Sequence, residues 1–135
     1  LEALHSISES AEYEFLTSAN FKYHFDEDER HRIMDIYNYT LSNYTQKITL
    51  EDVSEIANLS PNSFCKFFKS RTGKTYTQFV NEIRIGDACQ KLIENQMSVK
   101  EVCFASGFNN FTSFHECFKN ITGKSPLKYQ QLYRK

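Results

Sequence analysis

The chain of 135 residues is 40% hydrophobic and 15% aromatic, which supports one compact core or two small lobes and excludes a disordered segment. No apolar run approaches the roughly 18 residues needed to span a bilayer, and no signal-peptide pattern is present, so a soluble, cytoplasmic protein with no membrane partner is expected. The net charge of −1 is unevenly spread: residues 1–31 hold eight acids against two bases (−6), and residues 32–135 hold fourteen bases against nine acids (+5), so the second stretch carries the field that a nucleic acid would meet.

Leu1, Leu4, Ala11, Phe15 and Leu16 allow one or two amphipathic helices before Asn20, read as the helical linker or tail of a longer protein. The run FDEDERHR from Phe25 places four acids at the start of the next helix, where the positive end of its dipole favours them. Ile33, Ile36, Tyr37, Leu41 and Tyr44 mark the buried side of that helix, which is expected to end near Thr45. Thr49 with Asp52 is read as a capping box opening a short helix whose inner face is Leu50, Val53, Ile56 and Ala57. After the turn at Asn58-Leu59, Ser60 is an N-cap and Pro61 the first residue of a third helix. Phe64, Phe67 and Phe68 face inward there, and Gly73 closes it.

Thr75-x-x-Gln78 predicts a capping box for a long helix through Asn95. Tyr76, Phe79, Val80 and Ile83 form one apolar stripe; Ile85, Ala88, Cys89 and Leu92 form another on a neighbouring face, as a strut serving two cores would require. Beyond it the punctuation repeats. Ser98 with Glu101 caps a short helix with Val99, Val102 and Cys103 inside, and Gly107 lies in the turn. Asn109 or Asn110 caps a helix with Phe111, Phe114, Phe118 and Ile121 inward, Gly123 ends it, and Ser125-Pro126 opens the last helix, with Leu127, Tyr129 or Gln130, and Leu132 along it. FCKFFKSRTGKTYTQF from Phe64 superposes on FHECFKNITGKSPLKY from Phe114 with a shift of 50 residues, an internal repeat. No stretch alternates with period two, so the fold class is all-α, without a sheet.

The four cysteines (Cys65, Cys89, Cys103, Cys117) stand singly and the histidines are scattered, so no metal site, disulfide framework or catalytic thiol is expected, and the thiols are read as buried or half-buried and reduced. No nucleophile-and-base arrangement, glycine-rich phosphate loop or paired carboxylate recommends an enzyme, and no cofactor is implied. What the repeat does suggest is two helix-turn-helix units, each a short helix, a tight turn and a second helix whose aromatic face anchors it and whose opposite face is free to enter a major groove.

The runs ITLEDVSEIANLSPNSFCKFFKSRTGKTYTQFVNEIRI and MSVKEVCFASGFNNFTSFHECFKNITGKSPLKY resemble the DNA-binding domain of AraC/XylS-type transcription regulators, over about residues 32–133. The resemblance implies double-stranded DNA as partner, more often for an activator than a repressor. Two lobes (32–74 and 98–135) would be joined by the helix over 75–95, with the third and sixth helices in successive major grooves about 34 Å apart. It also implies RNA polymerase as a partner and an effector-binding or dimerisation domain on the N-terminal side, with residues 1–31 as its tail. Carried over by position, Asn62, Ser63, Cys65 and Lys66 of the first reading helix and Thr112, Ser113, His115 and Glu116 of the second would face bases. Ser60, Asn110 and Ser125 at helix starts and Lys69, Lys74, Lys119 and Lys124 would hold phosphates. The chain departs from the family in having Lys66 and Glu116 where arginine is common; the first lobe is therefore expected to read most of the sequence and the second mainly to grip backbone. The competing readings are a helical protein-interaction module and the regulatory part of an alkyl-accepting repair protein, whose chemistry needs an activated thiolate.

Overall fold

The computed structural model describes residues 27–135; the helices and tail expected before Asn20 lie outside them. Seven helices and no strand occur among the described residues: α1 (Glu27–Asn43), α2 (Leu50–Ile56), α3 (Pro61–Thr72), α4 (Tyr76–Glu94), α5 (Val99–Ala105), α6 (Phe111–Thr122) and α7 (Pro126–Tyr133). The helix boundaries follow local chemistry. Thr75 accepts from the Gln78 amide while the Gln78 side chain accepts from the Thr75 amide, a reciprocal box that fixes the start of α4, and Ser98 with Glu101 does the same for α5. At α2 only half of the expected box forms: Thr49 accepts from the Asp52 amide at 3.1 Å, and the aspartate, one carbon shorter than glutamate, makes no return bond. Asn95 ends α4 in the left-handed region at φ 58°.

The rod α4 divides two cores. Tyr76, Phe79, Val80 and Ile83 pack with Ile36, Tyr37, Val53, Phe64 and Phe68 from α1 to α3. One step further along, Ile85, Ala88 and Leu92 pack with Val102, Cys103, Phe114 and Phe118 from α5 and α6. Aromatic rings fill both, with Phe64 and Phe68 edge-on to Tyr76 at 5.3 and 5.4 Å and Phe118 edge-on to Tyr129 at 5.4 Å. Tyr76 also shares a 2.6 Å hydrogen bond with the buried Thr40 hydroxyl, so its polar end is satisfied inside the core.

Several side chains predicted to face inward do not. Leu50 and Ile56 flank the buried pair Val53 and Ala57 and remain exposed, as do Phe111 and Ile121 of α6. The two-turn helix α2 buries a single stripe, with Leu50 and Ile56 three positions either side of Val53 on its shoulders, and Phe111 and Ile121 lie at the two ends of α6, beyond the core that Phe114 and Phe118 fill. Phe67 is half-buried, held between the Arg32 and Arg71 guanidiniums, each 5.5 Å from its ring. Cys65 is exposed rather than buried; Cys103 is buried, and Cys89 and Cys117 are half-buried.

The two lobes touch through more than the rod. Arg84, midway along α4, donates from Nε to Tyr44 O at 2.8 Å and from Nη2 to Gln46 O at 3.0 Å in the α1–α2 connection, while its guanidinium lies 5.8 Å from the Phe108 ring in the α5–α6 turn. Beside it, buried Asp87 holds Lys91 at 2.5 Å through Oδ1. Burial, and secondarily the Asp87 carboxylate, raise the Tyr44 hydroxyl well above the ordinary phenol range. Gly107 fits the same joint at φ 108°.

Candidate nucleic-acid interface

The second helix of each unit is built alike. In α3, Ser60 accepts from the Ser63 amide at 3.2 Å, Pro61 follows at a position where a missing amide costs no bond, and Phe64 and Phe68 are fully buried against the rod. That anchoring turns Asn62, Ser63, Cys65, Lys66 and Lys69 to solvent. In α6, Asn110 accepts from the Ser113 amide at 2.9 Å, Phe114 and Phe118 are fully buried, and Thr112, Ser113, Glu116 and Lys119 are exposed. His115 is half-buried, its ring 6.3 Å from that of Phe111.

The ends of these helices repeat atom for atom. Thr72 Oγ1 lies 2.8 Å from Phe68 O and 3.0 Å from Lys74 O, and Thr122 Oγ1 lies 2.8 Å from Phe118 O and 3.0 Å from Lys124 O. Gly73 and Gly123 follow with φ of 79° and 80°. The Thr-Gly-Lys repeat is thus a stop signal: the threonine hydroxyl ties a carbonyl of the last turn to the lysine carbonyl beyond the helix, and the glycine between them turns the chain.

Among the phosphate-binding candidates, Ser60, Asn110 and Ser125 use their side chains as caps, Ser125 accepting from the Lys128 amide at 3.2 Å. An anion at these ends would meet only the first-turn amides left over. Lys69 and Lys119 are exposed and Lys124 is half-buried, and none of the three has an ion-pair partner among the described residues; the same holds for Lys66. Lys74 differs. Its ammonium is 2.7 Å from Glu82 of α4, so it enters any contact with phosphate already paired. The corresponding position in the second unit, 50 residues on, is Leu132, which leaves Lys124 without that carboxylate.

Two arginines are committed to the fold. Arg71 binds Glu29 of α1 through Nε at 3.0 Å and Nη2 at 2.6 Å, and Arg32 donates to Ala57 O at 2.8 Å. The thiols Cys89, Cys103 and Cys117 are pushed up by burial, Cys117 further by Glu116, the direction opposite to thiolate activation. The exposed ring of Phe111 at the start of α6 escaped the periodicity reading. The repeat held a signal for it, since its counterpart is Pro61, a first-turn residue on the outside of α3.

Two helix-turn-helix units on one rod, each with its second helix turned outward, define a double helix-turn-helix domain. A family model described as helix-turn-helix domain matches residues 53–132. The chain is 30% identical over 115 residues to the uncharacterized HTH-type transcriptional regulator YdeC of Bacillus subtilis, covering 83% of this chain and 40% of that protein. It is 34% identical over 112 residues to the probable transcriptional regulator LumQ of Photobacterium leiognathi, covering 82% and 45%. The chain therefore spans less than half the length of these relatives. The DNA-binding domain of AdpA, in its complex with a target DNA, shares the fold with a TM-score of 0.70 at 24% identity, over 76% of this chain and 92% of that one. The chain belongs to the AraC/XylS-type helix-turn-helix family of transcription regulators.

Proposed function

We propose that residues 32–135 bind double-stranded DNA in a sequence-specific manner as part of a bacterial transcription regulator, with α3 and α6 entering successive major grooves. The observation that carries this reading is the duplicated unit: twice, buried phenylalanines fix a helix so that its polar side faces solvent, and both units hang on one rod. Asn62 suits adenine N6 and N7, Lys66 suits guanine acceptors, and Ser63, Cys65, Thr112, Ser113 and His115 complete the reading faces. Lys69, Lys119 and Lys124 supply backbone contacts, with Lys74 a lesser one. RNA polymerase and an N-terminal effector or dimerisation domain, reached through residues 1–31, are the further partners of this reading, supported by the greater length of the relatives and the regulator role in their names.

Titration of a labelled duplex at two salt concentrations tests it. Affinity is expected to fall steeply between 50 and 200 mM salt, by roughly tenfold or more even for three or four neutralised phosphates. Salt-independent affinity would favour the protein-interaction reading, for which exposed Phe104, Leu127, Leu132 and Tyr133 would be the contact residues. Glu116, exposed on α6, sits where an anion opposes phosphate. Glu116→Ala is expected to leave sequence preference nearly unchanged and to tighten binding slightly, read by competition among variant duplexes; loss of preference at one base pair would make Glu116 a reader of cytosine.

A further inference from the structure

The outward side of α6 is chemically unlike that of α3. Its first two turns, Phe111–Phe118, contain no lysine or arginine, and Glu116 is the one carboxylate there. A helix so composed has no cation with which to address guanine N7 and O6. It does present a ring. Phe111, the first residue of α6, is 41% exposed, although Phe114 beside it is fully buried. The ring is held in place, its centroid 6.1 Å from Phe114 and 6.3 Å from His115 one turn on. That much apolar surface in water adds little to the free domain, whereas against an apolar partner it is worth more with every Å² covered. In a major groove the apolar group on offer is the C5-methyl of thymine.

We propose that Phe111, backed by His115, reads the C5-methyl group of one thymine in the half-site of the second lobe. The inference rests on the DNA-binding reading above and gives that lobe a base contact in addition to its grip on backbone. The first lobe has no equivalent ring, because its counterpart residue is Pro61.

The experiment uses the intact chain and the duplex it prefers from a random pool. Each thymine of the second half-site is replaced in turn by deoxyuridine, which lacks only the C5-methyl. One replacement is expected to weaken binding by about five- to tenfold, the scale of a single base contact. Phe111→Ala is expected to lose a similar factor on the thymine duplex and to show no further loss on the deoxyuridine duplex; Phe111→Leu, still apolar, should retain part of the methyl dependence. Normal duplex affinity with no sensitive thymine, or a methyl effect that persists undiminished in Phe111→Ala, overturns the proposal and leaves the DNA-binding reading standing. Absence of salt-dependent affinity for any duplex overturns both. The deoxyuridine series on the native chain needs no variant to fold, and the unaltered helical signal of Phe111→Ala and Phe111→Leu is checked alongside.

Discussion

Gly107→Ala is expected to destabilise the domain by about 2–5 kcal/mol, adding left-handed backbone strain to overpacking, and to remove the advantage of a duplex with two half-sites over a duplex with one. At φ 108° an added Cβ would collide with Tyr44 O, lie 2.9 Å from Arg84 Nε and 3.1 Å from Thr45 Cα. The first obstacle is main chain at the end of α1, so relief requires the lobes to shift against each other. Gly73→Ala is the control. It has a positive φ and open space around it, so only the left-handed penalty of roughly 1–2 kcal/mol applies. Denaturant midpoints measure the first effect, and the affinity ratio of two-site to one-site duplexes measures the second. An unchanged ratio in Gly107→Ala would show that the joint does not set the arrangement of the lobes.

Phe118→Ala carries the other large effect, about 3–5 kcal/mol from lost burial and the cavity left between Phe114 and Tyr129. Small domains have a total stability of about 5–15 kcal/mol, so much of the margin of the second lobe would go. Ile121→Ala, one turn further on, removes a side chain that is 47% exposed and is expected to stay within about 0.5 kcal/mol. A urea titration of the three proteins checks both. Equal midpoints for the two variants would contradict the burial pattern of α6.

The sequence was most legible where local chemistry decides. The reciprocal boxes at Thr75 and Ser98, the glycine stops at Gly73 and Gly123, and the change of stripe between Ile83 and Ile85 all follow from side chains within one turn of each other. The outward placement of Asn62 and Lys66 follows from the same spacing, and that of Ser63, Thr112 and Glu116 from the family resemblance; all five are exposed. What escaped was of two kinds. On the two-turn helix α2 periodicity overcounts the buried face by Leu50 and Ile56, and on α6 it runs past the ends of the core that Phe114 and Phe118 fill, to Phe111 and Ile121. The rest depends on partners distant in sequence. Arg84 meets Tyr44 forty residues away, Arg71 meets Glu29 forty-two away, and Lys74 is drawn to Glu82 across the start of a helix, none of which leaves a local pattern.

Because α4 holds one core with Ile83 and the other with Ile85, it has a phase as well as a length. Inserting one residue between them would swing the second lobe by about 100° around the axis while lengthening the rod by only about 1.5 Å. Arg84, the residue between the two, would then lose either its carbonyl partners or its place by Phe108. The rod of this domain therefore tolerates substitution along its solvent side but no change in its residue count.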